Sequence, residues 1–236
     1  MLIIAHRGAS ADAPENTLLA FEKAIAMGVD GIEIDIHSVG DQLLVIHDRW
    51  LKRTTKMDGQ LSDYSFDQLR KLDAGMGQQI PTLWETMQCL NGQCSLNIEL
   101  KGINDVVPVL KHIDDAVEQL NFELHQFLLS SFNHHLLFEI KQLRPDIQTG
   151  ALTSSCPLDY ALFAEQLHAM SIHMDINCVQ PKFIQDAKQR GLQVYVFTVD
   201  EIADLDHLAA MGVDGVFTNT PDKALIRRAH QYTFHP

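Results

Sequence analysis

The sequence of 236 residues is poor in basic side chains. It has 18 lysines and arginines against 31 aspartates and glutamates, which gives a formal net charge of −13 with neutral histidines. Proteins that bind nucleic acids carry a basic stripe that neutralises phosphates, and an anionic membrane surface repels an acidic chain. We therefore expect no nucleic-acid partner and no stable membrane association. A small anionic substrate stays open, because local charge can differ from the total.

Long apolar runs and cysteines are also scarce. No run approaches the roughly 18 residues of a membrane span. The N-terminal run from Met1 to His6 has no basic segment before it and no small-residue cleavage pattern after it. These absences predict a cytoplasmic protein. The cysteines lack metal-finger spacing, and we expect them to be reduced thiols; they are Cys89, Cys94, Cys156 and Cys178.

What remains is the composition of a soluble globular chain. Apolar residues make up 46% and charged residues 21%, which is enough to bury a sizeable core and excludes disorder, collagen and coiled coil. Single α/β barrels are commonly near this length. We expect one domain spanning residues 1–236.

A six-residue repeat lies near each end of the chain. Residues 26–31 and 210–215 both read Ala-Met-Gly-Val-Asp-Gly, each after a helical pattern and before an apolar run. Gly28 and Gly212 can take the left-handed conformation that ends a helix, and the following runs are typical of buried parallel strands. The repeat favours a closed α/β architecture.

Strand and helix patterns alternate along most of the chain, which predicts a parallel sheet. Nine runs have strand character, one more than an eight-stranded barrel needs; they are residues 2–5, 31–36, 43–46, 95–100, 127–130, 147–152, 176–179, 193–198 and 215–218. The main helical patterns are residues 17–27, 106–120, 134–143, 158–170, 181–190, 201–211 and 221–230.

The extra strand is residues 43–46, because too few residues precede it for a crossover helix. We interpret it as the return arm of a hairpin turning at Gly40 and Asp41, which puts His47 roughly opposite Asp35. From residue 48 to 83 the alternation stops and turn signals dominate, with one short helical pattern that Ser65 can cap. We therefore predict a TIM (β/α)8 barrel with a small insertion, residues 48–83, after the second strand and its hairpin arm.

Three carboxylates lie toward the carboxyl ends of predicted strands, which is the catalytic face of such barrels. Glu33 and Asp35 are two residues apart and so share one face of their strand, and Glu99 ends another strand. Mutual repulsion would raise the pKa values of three converging carboxyls, and a hard divalent cation removes that conflict. The alternative is that Glu33 and Asp35 only form ion pairs with Arg7 and Lys101.

Two histidines and two cations lie near these strand ends. His6 ends the first strand and His47 ends the hairpin arm, so the pair could act as general base and general acid. Arg7 offers a bidentate fork and Lys101 a point charge, and together they suit a phosphate or phosphodiester.

At this point the sequence resembles the glycerophosphodiester phosphodiesterase family over nearly its whole length. The motifs that carry the resemblance are, in order, His6-Arg7-Gly8, Pro14-Glu15-Asn16-Thr17, Glu33-x-Asp35, His47-Asp48 with Leu51 and Arg53-Thr54-Thr55, Ile80-Pro81-Thr82-Leu83, Glu99-x-Lys101, Ser131-Phe132, and Gly212-Val213-Asp214-Gly215 with Thr218 and Pro221. Each motif alone is weak, but their order and spacing are specific.

The resemblance implies a metal-dependent hydrolase of glycerophosphodiesters with one divalent cation, Mg²⁺ or Ca²⁺. It implies metal ligands at Glu33, Asp35 and Glu99 and acid/base histidines at His6 and His47. It also implies substrate or phosphate contacts, which are Arg7, Lys101, Glu15, Asn16 and Phe197.

The sequence departs from the family pattern at two places. Phe197 stands where the family often has tryptophan, which bears on the fit to the alcohol portion of the substrate. Asn219 stands where the family often has aspartate after Thr218. The expected partner is a small glycerophosphodiester, and a homo-oligomer stays open.

Several other functions fit part of the same pattern. A related phosphodiesterase-barrel activity on lysolipids or other phosphoesters is disfavoured, because the sequence has no evident amphipathic or basic membrane patch. A magnesium-dependent lyase would use the carboxylates but gives the two histidines no task. A non-catalytic ligand-binding barrel would not need the complete set of candidate groups.

Overall fold

A closed ring of eight parallel strands forms the centre of the molecule. The computed structural model describes residues 1–233. The strands of the ring are β1 (Leu2–His6), β2 (Gly31–Val39), β4 (Ser95–Gly102), β5 (Phe127–Ser131), β6 (Gln148–Thr153), β7 (Ser171–Asp175), β8 (Gln193–Phe197) and β9 (Gly215–Thr218). They pair in that order, and β9 pairs with β1 to close the ring. The predicted TIM barrel is confirmed.

Helices surround the barrel and follow most of its strands. The helices are α1 (Leu18–Met27), α2 (Lys52–Thr55), α3 (Phe66–Leu69), α4 (Leu83–Leu90), α5 (Val107–Gln119), α6 (His134–Leu143), α7 (Leu162–Gln166), α8 (Pro181–Gln189), α9 (Ile202–Ala210) and α10 (Pro221–Thr233). None of the helices described within residues 1–233 is long and apolar enough to cross a membrane.

The repeated hexapeptide performs the same task at both of its positions. Gly28 and Gly212 have φ angles of 79° and 81° and lie just beyond the ends of α1 and α9. The aspartate of each copy binds the neighbouring strand: Asp30 Oδ2 accepts from Ile3 N at 2.7 Å, and Asp214 Oδ2 accepts from Val194 N at 2.6 Å. Each copy therefore ends a helix and fixes the start of an adjacent strand.

The predicted hairpin is also present. Strand β3 (Gln42–Val45) pairs antiparallel with β2, and Ile46 N donates to Asp35 O at 2.9 Å. His47 is therefore one residue beyond the position opposite Asp35, as expected.

Two sequence predictions on the far side of the barrel are wrong. The sixth barrel strand is β7 (Ser171–Asp175), and Ile176–Cys178, assigned to a strand from the sequence, is a 3₁₀ turn capped by Asp175. Ser171 and His173 are completely buried and bonded to each other at 2.9 Å, so β7 turns polar residues inward, whereas the sequence predicted the strand at residues 176–179. The helix predicted over 158–170 is reduced to α7.

The segment from residue 48 to 83 packs around an apolar cluster of its own. Ser65 caps α3 as predicted. The cluster also receives one residue from β3 and one that follows it, and its buried members are Leu44, Ile46, Leu51, Leu61, Leu69, Ala74 and Ile80. That residues 48–83 form an insertion within a single domain, residues 1–236, stays our interpretation of this packing.

Inside the barrel, polarity changes along the axis. Ile4, Leu128, Tyr195 and Phe217 form an apolar plug within the ring. Nearer the carboxyl ends of the strands, the buried side chains include carboxylates, which the barrel cannot neutralise with apolar contacts. This is the end that holds the candidate site.

Candidate active site

Strand register brings the three predicted carboxylates together. Asp35 on β2 pairs with Glu99 on β4, and Glu33 lies two residues before Asp35 on the same face. Their exposed fractions are only 3% for Glu33, 0% for Asp35 and 8% for Glu99. One oxygen from each lies within 4.8 Å of the others, as a common cation would require.

The electrostatics of this carboxylate cluster are unfavourable in the absence of a cation. Burial raises the pKa of Glu33 well above its ordinary value, and the charges of Asp35 and Glu99 add to the effect. Burial and then Asp35 raise the pKa of Glu99 to about 7. Glu33 Oε1 and Asp35 Oδ1 are buried and accept no hydrogen bond from any residue between 1 and 233. A set of carboxylate oxygens with unused acceptors fits a hard divalent cation.

Two cations border the cluster, as the ion-pair alternative also expects. Arg7 Nε lies 3.2 Å from Asp35 Oδ2. Lys101 Nζ lies 2.5 Å from Glu99 Oε1 and 3.5 Å from Asp35 Oδ1. Two positive charges against three carboxylates leave the cluster negative, and Arg7 also binds Glu15 at 2.8 Å. Ion pairing alone therefore does not satisfy the cluster.

Asn16 holds Asp35 in place from the loop after β1. Its Nδ2 donates to Asp35 Oδ2 at 2.8 Å, and its Oδ1 accepts from Asp35 N at 3.4 Å. Thr17 caps α1, and its side chain accepts from Ala20 N. Asn16 therefore contacts a candidate metal ligand, while the neighbouring threonine has the capping role.

His6 lies on the inner side of the mouth, and its two ring nitrogens have different surroundings. Nδ1 is 2.8 Å from Asn219 Oδ1, and Nε2 is 3.9 Å from Glu33 Oε2. Burial, followed by the charge of Arg7, lowers the pKa of His6 to about 4. Asn219 in turn binds Asp200. The sequence marked Asn219 only as a departure from a family pattern, and no motif pointed to Asp200.

His47 is held by a chain of charges at the rim of the mouth. Its Nδ1 lies 2.6 Å from Asp48 Oδ1, and Asp48 Oδ2 accepts from Arg53 Nε at 2.5 Å. The other nitrogens of Arg53 bind both oxygens of Glu15 at 2.6 and 2.8 Å. We call Asp48, Arg53, Glu15 and Arg7 the rim charge chain. Arg53 belonged to a recognised motif, but the sequence assigned it no role.

The pKa of Asp48 reflects these partners. Burial acts to raise it, but the hydrogen bonds and charges of Arg53 and His47 together outweigh burial and lower the pKa to about 2. The carboxylate of Asp48 is thus ionised wherever the protein is folded near neutrality.

A cavity opens beside the carboxylate cluster. Phe197 lines it and packs edge-on against Phe132, with ring centroids 5.9 Å apart. Lys101 Nζ lies 5.6 Å from the centre of the Phe132 ring. The lining residues are His6, Glu33, Asn97, Glu99, Ser130, Leu152, His173, Phe197 and Phe217. His47 instead lines a smaller hollow with Glu15 and Asn16.

Comparison with known proteins identifies relatives of the whole chain. A glycerophosphodiester phosphodiesterase from Caldanaerobacter subterraneus subsp. tengcongensis is 35% identical over 231 residues, covering 94% of this chain and 95% of that protein. A putative glycerophosphodiester phosphodiesterase from Bacillus subtilis is 34% identical over 235 residues and covers 94% and 96%.

Solved structures agree with these relatives. An Oleispira antarctica phosphodiesterase, solved in complex with the product sn-glycerol-3-phosphate, has a TM-score of 0.88 at 30% identity and covers 97% of both chains. A Silicibacter pomeroyi structure at 22% identity has a TM-score of 0.89 over 98% of this chain and 94% of that chain, and shows the shared fold. The model of the glycerophosphoryl diester phosphodiesterase family matches residues 6–223. The chain therefore belongs to the glycerophosphoryl diester phosphodiesterase family.

Proposed function

We propose that this protein hydrolyses glycerophosphodiesters to sn-glycerol 3-phosphate and an alcohol such as choline, ethanolamine or glycerol. The observation that carries the proposal is the buried carboxylate cluster, with oxygens of Glu33, Asp35 and Glu99 within 4.8 Å of one another. The product bound in the Oleispira antarctica relative supports the same substrate class.

In this proposal Glu33, Asp35 and Glu99 hold one divalent cation, Mg²⁺ or Ca²⁺. When bound, the cation supplies Lewis-acid polarisation of a non-bridging phosphoryl oxygen. Arg7 and Lys101 stabilise the negative charge that develops on the phosphoryl group. With a divalent ion, two cationic side chains and three carboxylates, the site has a net charge of about plus one, which favours a small anion within an acidic protein.

His6 and His47 carry out the two proton transfers of the reaction. Since burial lowers the pKa of His6 to about 4, its ring is neutral at rest and Nε2 can accept the proton of the nucleophile. His47 donates to the leaving alkoxide. Nδ1 of His47 is hydrogen-bonded to Asp48 at 2.6 Å, so His47 donates its proton from Nε2.

The remaining candidate residues act on these groups or on the substrate. Glu15 orients Arg7 through the bond of 2.8 Å, and Asn16 orients Asp35. Phe197 gives the cavity an apolar wall, where it contacts the organic part of the substrate.

The direct test is release of glycerol 3-phosphate from glycerophosphocholine, glycerophosphoethanolamine and glycerophosphoglycerol, with a lysolipid as a fourth substrate. Activity should vanish with chelator and return with added Mg²⁺ or Ca²⁺. No release with any metal would refute the function, and undiminished release in chelator would refute the metal. Preference for the lysolipid would favour the related activity.

Variants at the two histidines test the proton transfers. Each general acid or base contributes roughly 10²- to 10⁴-fold to the rate, so kcat should fall by that factor in His6→Ala and in His47→Ala. His125→Ala is the matched control. His125 immediately precedes β5, at the end of the barrel opposite the candidate site, and it pairs with Glu123. A loss of only a few-fold in a folded variant would remove that histidine from the mechanism.

A further inference from the structure

We propose that Asp200 and Asn219 form a positioning pair that fixes which ring nitrogen of His6 carries the proton. Only the turnover part of this inference rests on the proposed function. The pair lies just after β8 and β9, and Asp200 acts on His6 through Asn219.

Asp200 accepts three hydrogen bonds from the last residue of β9 and the residue that follows it. Its Oδ1 accepts from Asn219 N at 2.7 Å and from Thr218 Oγ1 at 3.0 Å, and its Oδ2 accepts from Asn219 Nδ2 at 2.7 Å. The carboxylate therefore grips both the backbone and the side chain of Asn219.

This grip determines the orientation of the Asn219 amide. An ionised carboxylate only accepts hydrogen bonds, so the amide group that faces Asp200 must be the donor, Nδ2. Oδ1 then faces the other way. The assignment follows from the chemistry of the two groups and not from the similar shapes of the amide nitrogen and oxygen.

The orientation of Asn219 determines the tautomer of His6. Asn219 Oδ1 lies 2.8 Å from His6 Nδ1 and 2.9 Å from Ser10 Oγ, whose single proton is shared with the His6 carbonyl oxygen at 2.8 Å. A carbonyl oxygen only accepts, so Nδ1 of His6 must carry a hydrogen. In the neutral ring Nε2 is then left with its lone pair, on the side of the ring that faces Glu33.

The consequence is a relay of orientation rather than of charge. Asp200 orients an amide, and the amide orients an imidazole and selects its tautomer, which is the role that outer partners of histidines commonly have. The acceptor at Nδ1 is uncharged, in contrast to the Asp48 carboxylate at His47.

The pair can be broken and rebuilt by exchanging its two side chains. In Asp200→Asn, the new amide keeps its oxygen toward Asn219 N and Thr218, so its Nδ2 meets the Nδ2 of Asn219. Two donors repel, Asn219 turns over, and its Nδ2 points at His6 Nδ1. The proton of His6 then moves to Nε2. The double variant Asp200→Asn with Asn219→Asp restores every donor and acceptor, and the carboxylate introduced at position 219 again accepts from Nδ1.

The test reads the tautomer directly by two-dimensional ¹⁵N NMR of histidine-labelled full-length protein, with the His6 signal identified by its loss in His6→Gln. We expect the proton on Nδ1 in wild type and in the double variant, and on Nε2 in Asp200→Asn. Asp175→Asn is the control, because Asp175 also ends a barrel strand but its carboxylate caps the turn at Asn177; it should keep the wild-type signal.

Turnover should follow the tautomer. Losing an outer partner of this kind costs about 10- to 100-fold in activity, so kcat should fall by that factor in Asp200→Asn while KM changes little. The double variant should recover most of the loss. A merely structural role would also allow this recovery, but it predicts that the proton of His6 stays on Nδ1 in Asp200→Asn, so the NMR signal distinguishes the two roles.

A proton on Nε2 in wild type, an unchanged tautomer in Asp200→Asn, or a double variant no better than the single one would each overturn the inference. An inactive wild type with the expected NMR signals would refute only the proposed function.

Discussion

Two groups of acidic side chains meet at the mouth of the barrel, and their pKa values shift in opposite directions. Glu33 and Glu99 of the carboxylate cluster have raised pKa values. Glu15 and Asp48 of the rim charge chain have lowered ones. Burial acts in the same direction in all four, toward a higher pKa, so burial does not explain the difference.

The difference lies in the partners. Within the cluster, burial and neighbouring carboxylates both disfavour charge, and two cations serve three acids. Within the rim chain, Arg53 binds Glu15 and Asp48 at once, and its hydrogen bonds and charge, together with those of Arg7 at Glu15 and of His47 at Asp48, outweigh burial. The rim chain is satisfied by the protein itself, whereas the cluster has acceptors left for a ligand. Acid content alone does not distinguish a binding site from its support.

The largest contrast should come from removing one carboxylate from each group. Glu33→Gln should lower kcat by about 10³-fold or more, because the Lewis-acid contribution amounts to several kcal/mol. We expect Mg²⁺ to raise the melting temperature of the wild type, and Glu33→Gln should lose this rise. In Glu15→Gln, kcat should fall about tenfold, as it does when an outer partner is lost, and the rise in melting temperature with Mg²⁺ should remain. Equal losses in both variants would contradict the division into ligands and support.

Next comes the bridge within the rim chain. Arg53→Ala frees Asp48 and Glu15 together, and kcat should fall about 10- to 100-fold. Arg53→Lys should recover little, since a single ammonium cannot reproduce the fork. Lys52→Ala is the neighbouring control, because Lys52 pairs with the exposed Asp58 and should leave kcat unchanged. Full recovery with lysine would show that only the charge of Arg53 matters.

The raised pKa of Glu99, about 7, predicts a pH-dependent stability of the metal-free protein. Between about pH 4.5 and 7 the unfolded chain ionises this group while the folded one keeps its proton, so stability is lost as pH rises. Glu99→Gln removes this loss. Its free energy of unfolding should therefore exceed that of the wild type by an amount that grows as pH rises through this range, to about 1–3 kcal/mol.

Urea unfolding in chelator at several pH values measures the gain. Glu118→Gln, an exposed site on α5, is the control and should follow wild type. A gain that stays constant with pH would mean that Glu99 is not the titrating group.

The smallest effect is expected at Asp48, with the opposite sign. Its folded pKa of about 2 lies below the ordinary value, so it stabilises the protein above about pH 4 and loses that contribution as pH falls toward 2. Asp48→Asn should destabilise by about 1 kcal/mol near neutral pH, after allowing for its partial exposure. Urea midpoints of the two proteins should converge in acid, and a constant difference would point to lost hydrogen bonds instead.

The sequence predicts much of the barrel and the strand-end carboxylates at its mouth, but not the groups that support the two histidines. The hexapeptide repeat, the hairpin and the strand-end carboxylates are local features, and strand periodicity puts Glu33 and Asp35 on one face without any tertiary information. The same local logic failed at β7, because Ser171 and His173 face the barrel interior and bond to each other there.

The supports of the two histidines were beyond local reasoning. Arg53 depends on how α2 lies against the loop that carries Glu15, 38 residues earlier. Asp200 and Asn219 depend on the pairing of β8 with β9 and of β9 with β1. Neither contact leaves a periodic or compositional trace, so the sequence yields the proposed reacting groups more readily than the groups that orient them.

The bond between His6 and Asn219 joins residues 213 positions apart, and this span bears on how the protein matures. During synthesis β1 emerges long before β9, and contacts this distant form late in folding. A chain can acquire its helices from local contacts while His6 still lacks its partner. Catalytic activity should therefore appear after helical circular dichroism during refolding, and it reports closure of the ring rather than the amount of secondary structure.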